Sequence, residues 1–227
     1  MMRTFLLVPL LAIGSWFGIA AAAQGLSNTD AVAGLKQALI DGSAAAVSRL
    51  GVENGFLGNA KVKIPLPPAL DKIQGALRFA GMGKQADDLV VAMNRAAEAA
   101  VPEARGLLVD AVKKMSVQDA KGILSGGDTA ATDYFRRSTQ AQLTQRFLPI
   151  VKKVTDRAGL ATQYNSLAGQ ASQVGLVKQD QSTVESYVTG KALDGLYLMI
   201  AEQEKAFRHN PAGAASDIVR KVFGTLK

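Results

Sequence analysis

Residues 182–211, STVESYVTGKALDGLYLMIAEQEKAFRHNP, carry the clearest secondary-structure pattern in the chain. Ser182 and Glu185 form the S-x-x-E arrangement of a capping box, in which each side chain binds the other residue's backbone N–H at a helix start. Apolar side chains then recur at helical spacing until Asn210, where the following proline ends the pattern. This stretch predicts one long amphipathic helix.

Similar helix signals recur on the N-terminal side of this stretch. Ser27 with Asp30, and Ser116 with Asp119, have the spacing of helix caps, and Asp128 is expected to cap a long helix. Pro102 either kinks a helix or opens a new one. With a weaker helix expected around Tyr164 and Leu167, and a last one after Asn210-Pro211, the pattern predicts about eight helices.

Residues 52–68 interrupt the helical pattern. Asn54-Gly55 and Gly58-Asn59 are turn pairs, and prolines follow at the end of the stretch. We expect the apolar side chains of this loop either to pack over the helices or to present a hydrophobic patch to a partner; they are Phe56, Leu57, Ile64 and Leu66. The fold class is therefore predicted as all-α, a single-domain irregular helical bundle with one extended Pro/Gly-rich loop.

The N-terminus has the pattern of an export signal. Arg3 precedes an uncharged apolar run from Phe5 to Ile19, and four alanines at residues 20–23 follow it. Small residues in that position suit a signal peptidase. We expect residues 1–23 to be a cleaved signal peptide, residues 24–227 to be one helical domain, and the protein to reach the periplasm. A retained N-terminal membrane anchor is the alternative, because roughly 20 apolar residues can span a bilayer.

The composition excludes several kinds of chemistry. The chain has no cysteine and one histidine, which excludes thiolate nucleophiles, cysteine-based metal centres and metal sites with two histidines. We expect His209 to assist the carbonyl groups at a helix end and not to act as a base. Gly81-Met82-Gly83-Lys84-Gln85-Ala86 matches a dinucleotide fingerprint, but it follows a helical pattern, so we expect a helix–helix turn and no cofactor.

The net charge of +7 comes from scattered basic pairs and not from a basic run. Because few aromatic residues accompany these pairs and no binding motif is present, we expect no nucleic-acid partner. Contact with an anionic membrane surface stays open. The C-terminal segment of residues 214–227 is expected to pack on the core, with attachment to a membrane surface as the alternative.

Several stretches together resemble a known family. They are Gly55-Phe56-Leu57, VKIPLPPAL at 62–70, MNRAAEAAVPEA at 93–104, GGDTAATDYFRRST at 126–139, TGKALDGLY at 189–197 and the IAEQEKAFRHNPA stretch that begins at Ile200. In that order they are similar to the bacterial envelope family called Domain of Unknown Function 4197. The resemblance implies an exported helical protein without an established activity. Some members are lipoproteins, and this chain lacks the cysteine that would carry the lipid.

Two of these stretches hold the polar residues that are the candidate site. In the first, Asn94, Arg95 and Glu98 lie within one or two helical turns of each other among small alanines. In the second, Asp133, Arg136 and Arg137 lie within one turn. If the two helices face each other, Glu98 can pair with Arg136 or Arg137. Such a cluster is either an interhelical salt-bridge network, a binding site for an anionic ligand, or a carboxylate-based catalytic site.

The expected function is non-catalytic binding of a small anionic or amphiphilic ligand, or of an envelope partner. The first alternative is a structural or assembly scaffold with no small ligand. The second is an enzyme that uses Glu98 or Asp133 as a general acid or base. No cofactor and no metal are expected in any of the three, and the sequence does not indicate an oligomeric state.

Overall fold

The computed structural model describes residues 27–72, 74–79, 81, 83–158, 162, 164, 183–213 and 217–224. Within these residues the chain forms helices and loops and no β-strand. The α-helices are α1 (Asn28–Leu50), α2 (Pro68–Asp71), α3 (Gln74–Phe79), α4 (Gly83–Ala100), α5 (Ala104–Lys114), α6 (Val117–Leu124), α7 (Ala130–Thr155), α8 (Val184–His209) and α9 (Asp217–Gly224).

The all-α prediction is confirmed, but the predicted bundle of about eight helices is wrong, because only five of the nine described α-helices are longer than eight residues. Five long helices build the described structure, and they are α1, α4, α5, α7 and α8. The other segments have eight residues or fewer. Proline or glycine lies near several of these short segments and looks like the boundary of a helix in the sequence. Counting helices from the sequence pattern therefore gives a one- or two-turn segment the same weight as a long helix.

Parts of the prediction lie outside the described residues. These are the signal segment at residues 1–23, the helix expected around Leu167, and Ser182 of the expected capping box. Among the helices that the structure does describe, none has the length and hydrophobicity needed to cross a bilayer.

Helix α7 lies at the centre of the described helices. It packs most extensively against α8 and α4. It runs antiparallel to α8, since Thr139 meets Tyr197 while Thr132, earlier in α7, meets Glu204, later in α8. Large side chains with almost no solvent exposure fill the core, among them Phe135, Leu143, Phe147 and Tyr197. This packing brings one face of α8 against α7 along much of its length.

The helix caps follow the sequence prediction in two of four cases. Ser27 accepts a hydrogen bond from the Asp30 N–H, and Ser116 and Asp119 form a complete capping box. For α8, the N-cap is Thr183 and not Ser182. For α7, the predicted cap Asp128 is wrong, because Thr129 holds the N-cap position and its side chain makes no capping hydrogen bond.

The predicted turns are confirmed. Asn54 adopts a left-handed backbone with φ of 66°, and a Cβ on Gly55 would lie 2.4 Å from the Leu50 carbonyl oxygen. Gly81 has φ of 77° in the turn before α4, as expected for a helix–helix connection. Pro102 lies in a 3₁₀ turn, Val101–Glu103, that joins α4 to α5, so it opens a new helix.

The loop at residues 51–67 packs over the helices, which confirms the first of the two readings. Phe56, Ile64 and Leu66 are buried, while Leu57 is half-buried. Near the C-terminus, Val222 of α9 is buried too, and α9 packs against α1. The expected core packing of the C-terminal segment is thus seen in its described residues.

Gly195 of α8 provides a test of this loop packing. A Cβ at Gly195 would lie 2.7 Å from Phe56 Cε1 and 3.2 Å from Val62 Cβ. We predict that Gly195→Ala lowers the free energy of unfolding by about 1–3 kcal/mol, because the added methyl group overpacks the contact between α8 and the loop.

The matched control is Gly190→Ala in the same helix, where an added Cβ meets nothing within 4 Å. Inside a helix, alanine is more favourable than glycine by about 0.8–1 kcal/mol, so this variant should be slightly more stable than the wild type. Urea denaturation measures both. Equal effects of the two substitutions would contradict the tight contact at Gly195.

Candidate functional site

Asn94 holds the 51–67 loop against α4. Its side chain is fully buried and pairs with both backbone groups of Ile64. The amide oxygen accepts from the Ile64 N–H at 2.8 Å, and the amide nitrogen donates to the Ile64 carbonyl at 2.8 Å and to the Val90 carbonyl at 2.8 Å. The Asn94 amide thus supplies the donor and the acceptor that a neighbouring β-strand would supply to an extended segment.

Glu98 binds the same loop one helical turn further on. The residue is 5% exposed, and its Oε1 accepts from the N–H groups of Phe56 and Leu57, both at 3.0 Å. Its Oε2 accepts from Arg95 Nη1 at 2.6 Å. Three donors therefore offset the cost of placing this carboxylate away from water.

Arg95 connects Glu98 to the outer part of the loop. Its Nη2 donates to Glu53 Oε1 at 3.1 Å and to Asn54 Oδ1 at 3.0 Å. The hydrogen bond to Glu98 raises the pKa of the Arg95 guanidinium. The three candidates on α4 thus act together on one loop.

The candidates on α7 lie in a different environment. Asp133 is exposed and accepts from the Thr129 hydroxyl at 3.4 Å. Arg136 lies over the Tyr197 ring, 4.7 Å from its centre, and donates to Asp194 of α8 at 3.4 Å. Arg137 is exposed. These residues therefore face α8 or solvent.

The structure does not bring the two groups of candidates together. Helices α4 and α7 do pack against each other, as the hypothesis required. Among the described residues, however, no ion pair joins Glu98 to Arg136 or Arg137. The expected pairing is wrong because the loop backbone and Arg95 already occupy the Glu98 carboxylate.

A second buried carboxylate, Glu204 of α8, was not among the candidates. It is 4% exposed and accepts from the backbone N–H groups of Ala131 and Thr132, at 3.0 and 2.9 Å. It also accepts from the Thr132 hydroxyl at 2.9 Å. The first N–H groups of a helix have no partner within the helix, so Glu204 caps α7 from another element.

Arg208 completes this arrangement one turn after Glu204. Its Nη2 donates to Glu204 at 2.9 Å and to the Ile123 carbonyl at 2.8 Å, and its Nη1 donates to the Gly126 carbonyl at 3.3 Å. The Glu204–Arg208 pair thus binds the end of α6 and the start of α7 together. The i, i+4 spacing of the pair is visible in the sequence, but its backbone partners are not.

His209 pairs with the residue that was expected to cap α7. Its Nε2 lies 3.0 Å from Asp128 Oδ2, and this hydrogen bond holds the pKa of the Asp128 carboxyl below its usual value. The histidine therefore contacts a carboxylate, where the sequence predicted an interaction with terminal carbonyl groups.

The α7–α8 groove is a separate feature, with a volume of about 400 Å³. We give this name to the cleft between those helices that Gln140, Thr144 and Leu148 line on α7. On α8 its lining includes Tyr187, Thr189, Gly190, Leu193 and the charged residues Lys191 and Asp194. Ligand pockets in proteins commonly have volumes of about 300–1,000 Å³, so the groove is large enough for a small molecule.

Thr189 is the polar residue of the groove that the protein leaves unsatisfied. The residue is 2% exposed, and its Oγ1 is the one buried side-chain nitrogen or oxygen in the described part of the chain without a hydrogen-bond partner. An unpaired buried hydroxyl costs about 1–3 kcal/mol, because it loses water and gains no substitute.

Tyrosines near the groove are neutral hydrogen-bonding groups at physiological pH. Burial raises the pKa of Tyr187, which lines the groove, and the Asp71 carboxylate adds to this effect. Burial also raises the pKa of Tyr197, which Thr139 and the Arg136 cation partly oppose. Lys191 Nζ lies 5.9 Å from the centre of the Tyr187 ring.

The described residues contain no cluster of three or more histidine, aspartate or glutamate side chains that could hold a metal ion. The residues that line the groove offer hydrogen bonding, apolar contact and electrostatic attraction.

A family model described as "Protein of unknown function (DUF4197)" matches residues 25–224. No curated protein and no solved structure matches the chain.

Replacement of Asn94 tests its role in holding the loop. We predict that Asn94→Leu lowers the free energy of unfolding by about 2–4 kcal/mol, because both backbone groups of Ile64 lose their partner while they stay buried. Hydrogen exchange at the Ile64 amide should become faster. Asn59→Ala, which removes an exposed hydrogen bond to the Lys61 N–H, is the control and should change stability by at most about 0.5 kcal/mol. Unchanged exchange at Ile64 in Asn94→Leu would refute the assignment.

Replacement of Glu204 tests the cap of α7. Glu204→Ala should lower the free energy of unfolding by about 3–5 kcal/mol, because it leaves two backbone N–H groups buried without their acceptor and removes the carboxylate that balances the Arg208 charge. The control is Asp88→Ala, which breaks the exposed i, i+4 pair with Lys84 and should cost less than about 1 kcal/mol. Chemical denaturation measures both variants, and a similar loss in the two would show that Glu204 contributes no more than a surface charge.

Proposed function

The chain belongs to the DUF4197 family of proteins of unknown function, and we propose that it is a non-catalytic binding protein for a small anionic or amphiphilic ligand. The ligand occupies the α7–α8 groove. As part of the same proposal, the protein is exported and acts in the periplasm.

The unpartnered Thr189 hydroxyl is the observation that carries this proposal. A protein gains stability when a buried hydroxyl finds a hydrogen-bond partner or is replaced by an apolar group. The Thr189 hydroxyl is present and has no partner. It belongs to a residue that lines the groove. The oxygen is closed to solvent in the unliganded protein, so a ligand that displaces the side chains over it would supply the missing hydrogen bond.

The other residues of the groove suit a ligand with both polar and apolar parts. Leu148 and Leu193 offer apolar contact, and Gln140 and Thr144 offer hydrogen bonds. Lys191 makes no ion pair within the described residues, so its charge is available to an anionic group. Pockets that bind small molecules combine a mostly apolar wall with a few placed polar groups in this way.

The proposal moves the ligand away from the residues that the sequence indicated. Asn94, Arg95 and Glu98 use their polar groups to hold the 51–67 loop. Of the candidates on α7, Arg136 is the one tied to the groove, through its hydrogen bond to Asp194. The anion-binding hypothesis is therefore kept, with Lys191 as the cation that lines the groove and Arg136 offsetting the Asp194 charge.

A scaffold without a small ligand is a second candidate, and an exposed aromatic side chain favours it. Phe79 of α3 is 98% exposed. The sequence hypothesis placed a partner surface near Phe56 and Leu57, but Phe56 is fully buried. A polar substitution at Phe79 that removes a reproducibly co-purifying protein would support the scaffold.

A carboxylate-based enzyme has less support from the geometry. Glu98, the first candidate, accepts three hydrogen bonds and is 5% exposed, so it offers no free carboxylate to a substrate. Asp133 is exposed and stays the candidate of this alternative.

Blocking the groove tests the binding proposal. Gly190 lines it, and an added Cβ meets nothing within 4 Å. We predict that Gly190→Leu abolishes ligand binding while the domain stays at least as stable, since glycine disfavours a helix by about 0.8–1 kcal/mol. The control is Gly106→Leu on α5, where an added Cβ also meets nothing within 4 Å.

The measurement is native mass spectrometry, with solvent extraction, on protein purified from the periplasm, followed by calorimetric titration with decyl phosphate. The wild type and Gly106→Leu should retain an additional mass or bind the probe. Thr189→Val should bind about fivefold more weakly without loss of stability, because it removes a hydrogen bond to a phosphate oxygen of the probe but no partner within the protein. An unliganded wild type that also fails to bind the probe would refute the proposal.

A further inference from the structure

A second, smaller depression adjoins the α7–α8 groove. It has a volume of about 190 Å³, and its lining includes Lys61 and Lys63 of the loop together with Leu198 of α8. Lys191 and Asp194 line both this depression and the groove. The two are therefore neighbouring parts of one surface, and a single extended molecule can occupy both.

Positive charge is concentrated in the small depression. Lys61, Lys63 and Lys191 all line it. Lys61 pairs with Glu202 at 2.5 Å, whereas Lys63 and Lys191 form no ion pair with any residue that the structure describes. Two lysines without an ion pair thus line this concave site, together with the acidic residue Asp194.

Asp194 does not cancel these two charges. Its carboxylate lies at the junction of the two cavities, and it accepts a hydrogen bond from Arg136 at 3.4 Å. The Arg136 cation, stacked over Tyr197, offsets the Asp194 charge from the other side. The field in the small depression therefore favours an anion.

The groove beyond this junction is uncharged. Gln140, Thr144, Leu148 and Leu193 line it, and none of them carries a formal charge. A molecule that follows both cavities consequently meets cations at one end only, with hydrogen-bonding and apolar contacts along the remainder.

From this asymmetry we infer that the ligand is a single-chain amphiphile with an oxyanion head group. The head group, a phosphate or a carboxylate, binds Lys63 and Lys191 in the small depression. The chain lies in the α7–α8 groove, and the head-group oxygen nearest the chain reaches Thr189. This inference rests on the proposed function, and it adds the chemical class of the ligand and its orientation.

The test compares three probes on the full chain by calorimetric titration: decyl phosphate, decanol and inorganic phosphate. The wild type should bind decyl phosphate at least tenfold more tightly than either of the others, a difference of about 1.4 kcal/mol in binding free energy. Decanol lacks the charge, and inorganic phosphate lacks the chain. The double variant Lys63→Gln/Lys191→Gln should lose about tenfold in affinity for decyl phosphate and keep its affinity for decanol. Lys114→Gln/Lys121→Gln, which removes two lysines that line neither cavity, should behave as the wild type.

The outcomes separate this inference from the proposed function. If Gly190→Leu abolishes binding of decyl phosphate but the Lys63/Lys191 variant binds it normally, the head-group site is wrong and the groove proposal stands. If inorganic phosphate binds as tightly as decyl phosphate, the inference that the ligand is an amphiphile is wrong. If no probe binds to the wild type, both proposals fail.

Vesicles of phosphatidylglycerol, compared with the soluble probe, show whether the same head group is recognised in a bilayer or only in a free molecule. Binding of either that depends on Lys63 and Lys191 supports the head-group site.

Discussion

Two buried glutamates hold the described structure together by accepting hydrogen bonds from the backbone of another segment. Glu98 binds consecutive N–H groups of the 51–67 loop, and Glu204 binds consecutive N–H groups at the start of α7. Each has an arginine on the following or preceding turn of its own helix that balances its charge. A buried backbone donor must find an acceptor, and in these places no neighbouring strand or local cap supplies one.

This arrangement explains why the most conspicuous polar residues do not form the cavity. Asn94, Arg95 and Glu98 are surrounded by loop backbone, so their hydrogen-bonding capacity is already used. The groove instead lies between α7 and α8, where helix packing leaves space above Gly190 and a hydroxyl at Thr189 without a partner. A site for a ligand is better sought where polar groups are unsatisfied than where they are most concentrated.

Local features of the fold were predictable because they depend on residues within about one turn of each other. The caps at Ser27 and Ser116 and the turn at Asn54-Gly55 belong to this group, whereas Pro102 was predicted either to kink a helix or to open a new one. The number of helices was not predictable in the same way. Short segments such as Pro68–Asp71 have the same punctuation as long helices, and only packing shows how far each extends.

The sequence by itself determined an all-helical protein, its family, the burial of the loop's apolar side chains as one of two readings, and the residue types available for chemistry. The tertiary structure decided which polar groups are occupied. Glu98 meets Phe56 across 42 residues and Glu204 meets Thr132 across 72, and the shared cavity of Lys63 and Lys191 joins the loop to α8. Helical periodicity and capping act over a few residues, whereas the satisfaction of a buried charge depends on whichever distant segment the packing brings to it.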